Sequence, residues 1–213
     1  MTVFAGQDLA CLRGERLVFS GLSFRVAAGE TLLLRGPNGS GKSSLLRCMA
    51  GLLAPVAGTQ TWNDRPVADD ADSHRARLRY LGHQDAVKPA LTVHENLAFW
   101  QQLHAIRDVA AIGKALADLA IDHLADLPAR LLSAGQRRRV ALARLLAAPG
   151  TLWLLDEPTT ALDDESVERF AGMIQRHRTS GGMVVLSSHG DPGVTGQILA
   201  LADFAPRESD PLV

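Results

Sequence analysis

Leu22, Phe24 and Val26 alternate with Ser23 and Arg25, the period-two pattern of a strand buried on one face. Ala27-Ala28-Gly29-Glu30 turns the chain. Thr31-Leu32-Leu33-Leu34 then has the near-continuous apolar character of a strand covered on both sides of a parallel sheet. A glycine-rich loop follows at 36–41, and residues 43–50 read as a short helix stopped at Gly51, with Pro55 just beyond. Thr59-Gln60-Thr61-Trp62 predicts another strand before a turn at Asn63-Asp64. From about 85 to 147 the spacing becomes helical, as at Leu97, Trp100, Gln101 and His104, which predicts a helical subdomain inserted into an α/β core. Strand character returns at Leu152-Trp153-Leu154-Leu155 and Met183-Val184-Val185-Leu186, and no internal repeat interrupts this order.

Length and composition narrow the picture. A chain of 213 residues with 46% hydrophobic and 21% charged residues suits one compound domain, read over 1–205, with a short tail at 206–213 that holds no further domain. The formal charge of −1 offers no global attraction for nucleic acid or anionic lipid. Cys11 and Cys48 lie far apart in sequence and form no CxxC unit, so neither a zinc site nor a disulfide framework is expected, in keeping with a reducing cytosol. Met1-Thr2-Val3-Phe4-Ala5 lacks the basic start and apolar stretch of a signal peptide, and no apolar run reaches the length of a membrane span. A membrane process would need another chain for its membrane part.

The glycine-rich stretch carries chemistry. Gly36-Pro37-Asn38-Gly39-Ser40-Gly41-Lys42-Ser43 satisfies G-x-x-x-x-G-K-[ST]. In that spacing backbone N–H groups and a helix N-terminus point at phosphates. Lys42 reaches the β- and γ-phosphates and Ser43 offers its hydroxyl to Mg²⁺, with Ser44 following among the nucleotide-binding candidates. Four fixed positions match by chance in roughly one chain in a hundred of this length. A buried strand before the loop and a helix after it make a P-loop NTPase core the expectation.

A second strand end supplies acids. The run at 152–155 leads into Asp156 and Glu157, capped by Pro158. In a parallel sheet, ligands gather at the carboxyl ends of strands. Asp156 is therefore the candidate to bind Mg²⁺ through water, and Glu157 the general base that polarises the attacking water. Such assistance is typically worth about 3–5 kcal/mol of barrier.

A third segment narrows the family. Leu132-Ser133-Ala134-Gly135-Gln136 precedes Arg137-Arg138-Arg139-Val140-Ala141-Leu142-Ala143-Arg144, with Ser133 a good helix N-cap. Together with Gln84 after Leu81-Gly82-His83, Ala161-Leu162-Asp163, and His189 after Ser187-Ser188, this order resembles the ABC ATPases, whose signature is usually written L-S-G-G-Q. The resemblance covers nearly the whole chain and implies an N-terminal antiparallel β subdomain. It also implies ATP and Mg²⁺ as cofactors and a head-to-tail pairing, as a homodimer or with another ATPase subunit. Under it, Gln84 contacts Mg²⁺ and the attacking water, and Ser133, Ala134, Gly135 and Gln136 complete the ATP site of the opposite subunit. Asp163 lies at that interface, and His189 holds the γ-phosphate and orients the water; Lys42, Glu157 and His189 form the catalytic set. Two positions depart from the pattern. Ala134 replaces the first signature glycine, which matters only where a positive φ is required. Arg13 stands where family members often carry an aromatic against adenine, and an arginine plane can stack on a base.

Tyr80-Leu81-Gly82-His83-Gln84, Val87-Lys88-Pro89, the segment Leu91-Thr92-Val93-His94-Glu95-Asn96-Leu97-Ala98-Phe99-Trp100 and the Ser133–Arg139 run are similar to one branch. That branch holds the ATP-binding subunits of bacterial haem exporters used in cytochrome c maturation. The likeness implies integral membrane permease subunits, a haem chaperone in the same complex, and a peripheral location on the cytoplasmic face of the bacterial inner membrane. The chain itself shows no haem site. The alternatives are an ATPase of another ABC transporter, or a soluble ABC-type ATPase acting on nucleic acid or ribosomes. Its two basic clusters, Arg75, Arg77 and Arg79 and Arg137-Arg138-Arg139, read as solvated faces. A small-molecule kinase would leave the signature segment and His189 without purpose.

Overall fold

The computed structural model describes residues 1–206, so all but the first residue of the tail read over 206–213 lies outside the described residues. In chain order the elements are β1 (Val3–Arg13), β2 (Arg16–Ala27), β3 (Thr31–Arg35), α1 (Lys42–Met49), β4 (Ala57–Trp62), β5 (Arg65–Pro66), α2 (Ala71–Arg77), β6 (Leu78–Leu81), α3 (Val93–Leu103), α4 (Val109–Asp118), α5 (Ala134–Ala147), β7 (Leu152–Asp156), α6 (Asp164–Thr179), β8 (Met183–Ser187) and β9 (Gln197–Ala200).

The alternating residues at 22–26 sit in β2, where Leu22, Phe24 and Val26 are buried and Ser23 and Arg25 exposed. β1 and β2 form an antiparallel hairpin, β4 pairs with the other edge of β1, and the order of this four-stranded sheet is β2-β1-β4-β5. The second sheet has five parallel strands in the order β6-β7-β8-β3-β9. Each of its central strands feeds two cores, because successive side chains leave a strand on opposite faces. Leu33, Trp153, Leu155, Val184 and Leu186 join the cluster that includes α5 and α6. Leu32, Leu34, Leu152, Leu154 and Val185 join the cluster shared with α1 and the antiparallel sheet. The parallel sheet is thus sandwiched, and its strand ends converge on one edge.

Between β6 and β7 lie α3, α4 and α5, the inserted helical part that the spacing predicts. A capping box starts α3: Thr92 Oγ1 accepts from the Glu95 N–H, and Glu95 accepts from the Thr92 N–H. Buried Gln101 ties this helix to α5 by donating to the Ala147 carbonyl over 2.9 Å.

The solvated-face reading of the basic clusters holds at exposed Arg75 and needs correction at Arg79 and Arg138. Arg79 is only 6% exposed and donates to the carbonyls of Ala76, Leu78, Ala148 and Pro149. Arg138 is 3% exposed and equally engaged. Arg77 lies over the Trp62 ring at 4.6 Å, and Arg75 pairs with Asp72. The fold needs the Arg79 and Arg138 guanidiniums because carbonyls at turns between elements have no ladder partner, and an arginine supplies up to five donors from one plane.

Candidate active site

The loop from β3 to α1 begins at Gly36 and ends at Gly41, which caps α1 with φ +99°. A Cβ at Gly41 would stand 2.6 Å from Val18 Cγ1, so both the backbone angle and the close approach of β2 require glycine there. Lys42, 7% exposed, curls over the loop and donates from Nζ to the carbonyls of Gly36 at 2.8 Å and Pro37 at 3.1 Å. Ser40 closes the turn with an N–H donated to the Pro37 carbonyl. In front of the loop is a cavity of about 670 Å³, lined by Asn38, Gly39, Gly41, Lys42, Ser43 and Ser44. Gly36, Pro37 and Ser40 shape the loop without lining it. Arg13, Arg16 and Val18 from the β1–β2 hairpin form its rim.

Asp156 and Glu157 reach the same cavity from the end of β7, and His189 reaches it from the loop after β8. Asp156 is 3% exposed and its Oδ1 accepts from Ser187 Oγ at 2.8 Å. The same hydroxyl accepts the Glu157 N–H at 3.0 Å. Glu157 has φ +50°, in the left-handed region that a non-glycine residue occupies at a cost of about 1–2 kcal/mol. Its Oε2 accepts the His189 backbone N–H at 3.3 Å, and Oε1 lies 3.4 Å from His189 Nε2. Among the described residues that Oε1 is buried and accepts no hydrogen bond, and the His189 ring is its near polar neighbour. Arg35, just ahead of the phosphate loop, donates to the carbonyls of Ser188 and Gly190 and so pins the segment that carries His189.

The remaining candidates stand apart from this cavity. Ser133, Ala134, Gly135 and Gln136 do not line it. They open α5 through a capping box in which Ser133 Oγ accepts from the Gln136 N–H and Gln136 Oε1 accepts from the Ser133 N–H. Ala134 is the first helical residue, a conformation alanine adopts without strain. Gly135 faces Ala161, whose carbonyl oxygen would lie 2.8 Å from a Cβ placed there. Asp163 is exposed and caps α6, and its bonds from the Ser166 hydroxyl and then the Ser166 N–H hold its carboxyl below the usual range. Gln84 is exposed and outside the cavity lining, whereas its neighbour His83, given no role from sequence, lines it.

Sequence reasoning missed Ser187, Arg35 and Arg138. For Arg138 no local signal existed: the residues in helical register with Arg137, namely Val140, Ala141 and Arg144, are as buried as those in register with Arg138.

The cavity couples a phosphate cradle to two carboxylates and a histidine, which is chemistry for phosphoryl transfer to water. Ser43 and Asp156 are hard oxygen donors lining one space, a set that fits Mg²⁺, an ion that takes one or two protein oxygens beside phosphates and waters.

Comparison with known proteins agrees with this geometry. The model of the ABC transporter family matches residues 19–160. A cytochrome c biogenesis ATP-binding export protein of Rhodospirillum rubrum is 55% identical over 210 residues, 97% of this chain and 89% of that protein. The protein of the same name from Paramagnetospirillum magneticum is 53% identical over 99% of both chains. Among solved structures, an ATP-binding protein of Pyrococcus furiosus assigned to the ABC transporters superposes with a TM-score of 0.85 over 96% of this chain and 100% of its own, at 23% identity. The chain belongs to the ABC transporter family, within the cytochrome c biogenesis ATP-binding export proteins.

Proposed function

We propose that the chain is the ATP-hydrolysing subunit of an export complex in cytochrome c biogenesis, paired head to tail with a second ATPase subunit on the cytoplasmic face of the bacterial inner membrane. The observation that carries the hydrolytic reading is the Glu157 carboxylate beside the His189 ring, both lining the cavity that the phosphate loop lines. Loop N–H groups and Lys42 hold the phosphates. Water attacks the γ-phosphorus, its proton passes to Glu157, and ADP leaves with the bridging oxygen. His189 contacts the γ-phosphate and orients the water. Ser43 and Asp156, the latter through water, would hold Mg²⁺, which would supply charge neutralisation on the β- and γ-phosphates. Gln84 stands outside the cavity lining and would reach the ion only by moving.

The pairing rests on Ser133, Ala134, Gly135 and Gln136. They form a helix start suited to phosphate yet lie outside the chain's own cavity, so they are free to serve a second nucleotide. Residues 1–205 act as one nucleotide-binding unit, with about 85–147 as its helical subdomain. Among the described residues no helix is long and apolar enough to cross a membrane. In this proposal permease subunits provide the path, and haem, the group a c-type cytochrome carries, is the cargo passed to a chaperone in the same complex. The burial of Arg79 and Arg138 removes part of the basic surface that a nucleic-acid reading would use.

Affinity purification of the tagged chain from native membranes tests this. Recovery of multi-span subunits with a haem-binding partner, seen by mass and absorbance, is the expected result. A different permease would discard haem, and recovery of ribosomes or nucleic acid would overturn the transport reading.

A further inference from the structure

Arg138 sits one turn into α5, the helix that the signature segment opens. Its Nε donates to the Pro158 carbonyl at 3.0 Å, and Nη2 donates to the carbonyls of Asp156 at 2.9 Å and Glu157 at 2.5 Å. From the other edge, Nη1 donates to Asp85 Oδ1 at 2.8 Å and to the Gly82 carbonyl at 3.4 Å. A guanidinium has five N–H donors, and these five bonds engage the whole set.

The acceptors decide what this group does. Glu157 is in the left-handed region, and the turn it makes brings three successive carbonyls toward one point. Dipoles so gathered repel unless a cation with planar, spread donors stands among them. Ser187 holds the N–H side of the same residue. Gly82 and Asp85 flank His83 and Gln84, so the far edge of the guanidinium grips the loop that brings His83 to the cavity.

We propose that Arg138 is a positioning residue for hydrolysis. It holds the Glu157 backbone in the conformation that aims its carboxylate at His189, and it carries any shift of α5 to both Glu157 and the Gln84 loop. The assignment rests on the proposed role of Glu157 as general base. A helix start that meets one nucleotide is thereby tied, through one buried side chain, to the carboxylates that act on another. Asp85 balances the charge.

The test uses Arg138→Gln, Asp85→Asn and Glu157→Gln in the full chain, in its native membrane complex. Arg138→Gln is expected to lower kcat about ten- to a hundredfold, as loss of a supporting contact commonly does, with ATP affinity within about threefold of the parent. Asp85→Asn keeps an acceptor oxygen but not the charge, so a fall of about two- to tenfold in kcat, again without loss of affinity, is expected. In the Glu157→Gln background, Arg138→Gln should lower the residual rate no further, because both act on one group. Equal losses in kcat, affinity and melting temperature would make Arg138 a packing residue and overturn the proposal, as would additive losses in the double variant. If Arg138→Gln does not fold, Asp85→Asn decides alone, and an unchanged kcat overturns the proposal. Full turnover by Glu157→Gln alone would instead overturn the reading of Glu157 itself.

Discussion

Ser187 donates its hydroxyl proton to Asp156 Oδ1 over 2.8 Å, so β8 orients the acid at the end of β7. Because Ser187 Oγ also accepts the Glu157 N–H, one small side chain positions both carboxylate residues. Ser187→Ala removes both bonds while leaving the phosphate loop intact. Turnover is expected to fall about ten- to a hundredfold with nucleotide affinity nearly unchanged. Steady-state hydrolysis beside equilibrium nucleotide binding checks this; loss of binding in step with turnover would contradict it.

Gly135 leaves no room for a side chain, since a Cβ would meet the Ala161 carbonyl at 2.8 Å. Both partners are backbone on this side, so neither can swing away. Gly135→Ala should displace the 161–163 segment from the start of α5. Nucleotide binding to a single subunit should survive, because Gly135 does not line that cavity, while hydrolysis falls at least about tenfold. Parent-like turnover would show that the two segments need not touch.

Arg79→Met separates stability from chemistry. Four carbonyls lose their donor, at a cost of about 3 kcal/mol, or roughly 6–12 °C in melting temperature for a chain of this size. Since Arg79 does not line the cavity, kcat per folded molecule should hold below the transition. Calorimetry and hydrolysis on the same preparation distinguish the effects.

These arginines mark where sequence reading ends. The strands at 22–26, 31–34, 152–155 and 183–186 are legible because burial on one face or two imposes its own periodicity. The phosphate loop and both acids are legible because their spacing is dictated by phosphate geometry. β6 escapes the pattern, since Arg79 and Tyr80 interrupt a strand of only four residues. Charge at Arg79 and Arg138 suggests solvent, yet their partners are carbonyls presented by distant turns, which no local pattern encodes. The contact of Ser187 with Asp156 depends on β7 and β8 lying side by side, a fact of strand order.

His177 provides the pH test. Its ring stacks on Trp153 with centroids 3.8 Å apart, and burial pushes its pKa down from 6.5 to about 4. The unfolded chain therefore binds this proton first. The stability His177 contributes is present above about pH 6.5 and is lost as pH falls toward about 4, by up to roughly 3 kcal/mol. His177→Phe keeps a ring for stacking and cannot titrate, so its denaturation midpoint should decline less than the parent's between these pH values. Parallel declines would contradict the assignment.

The most direct test of hydrolysis through Glu157 compares Glu157→Gln with Lys42→Ala in the native complex, following ATP binding, turnover and subunit pairing together. Glu157→Gln should bind ATP as the parent does, lose turnover and accumulate as an ATP-bound pair, whereas Lys42→Ala should weaken binding itself. Equal loss of ATP binding in both variants would contradict the account.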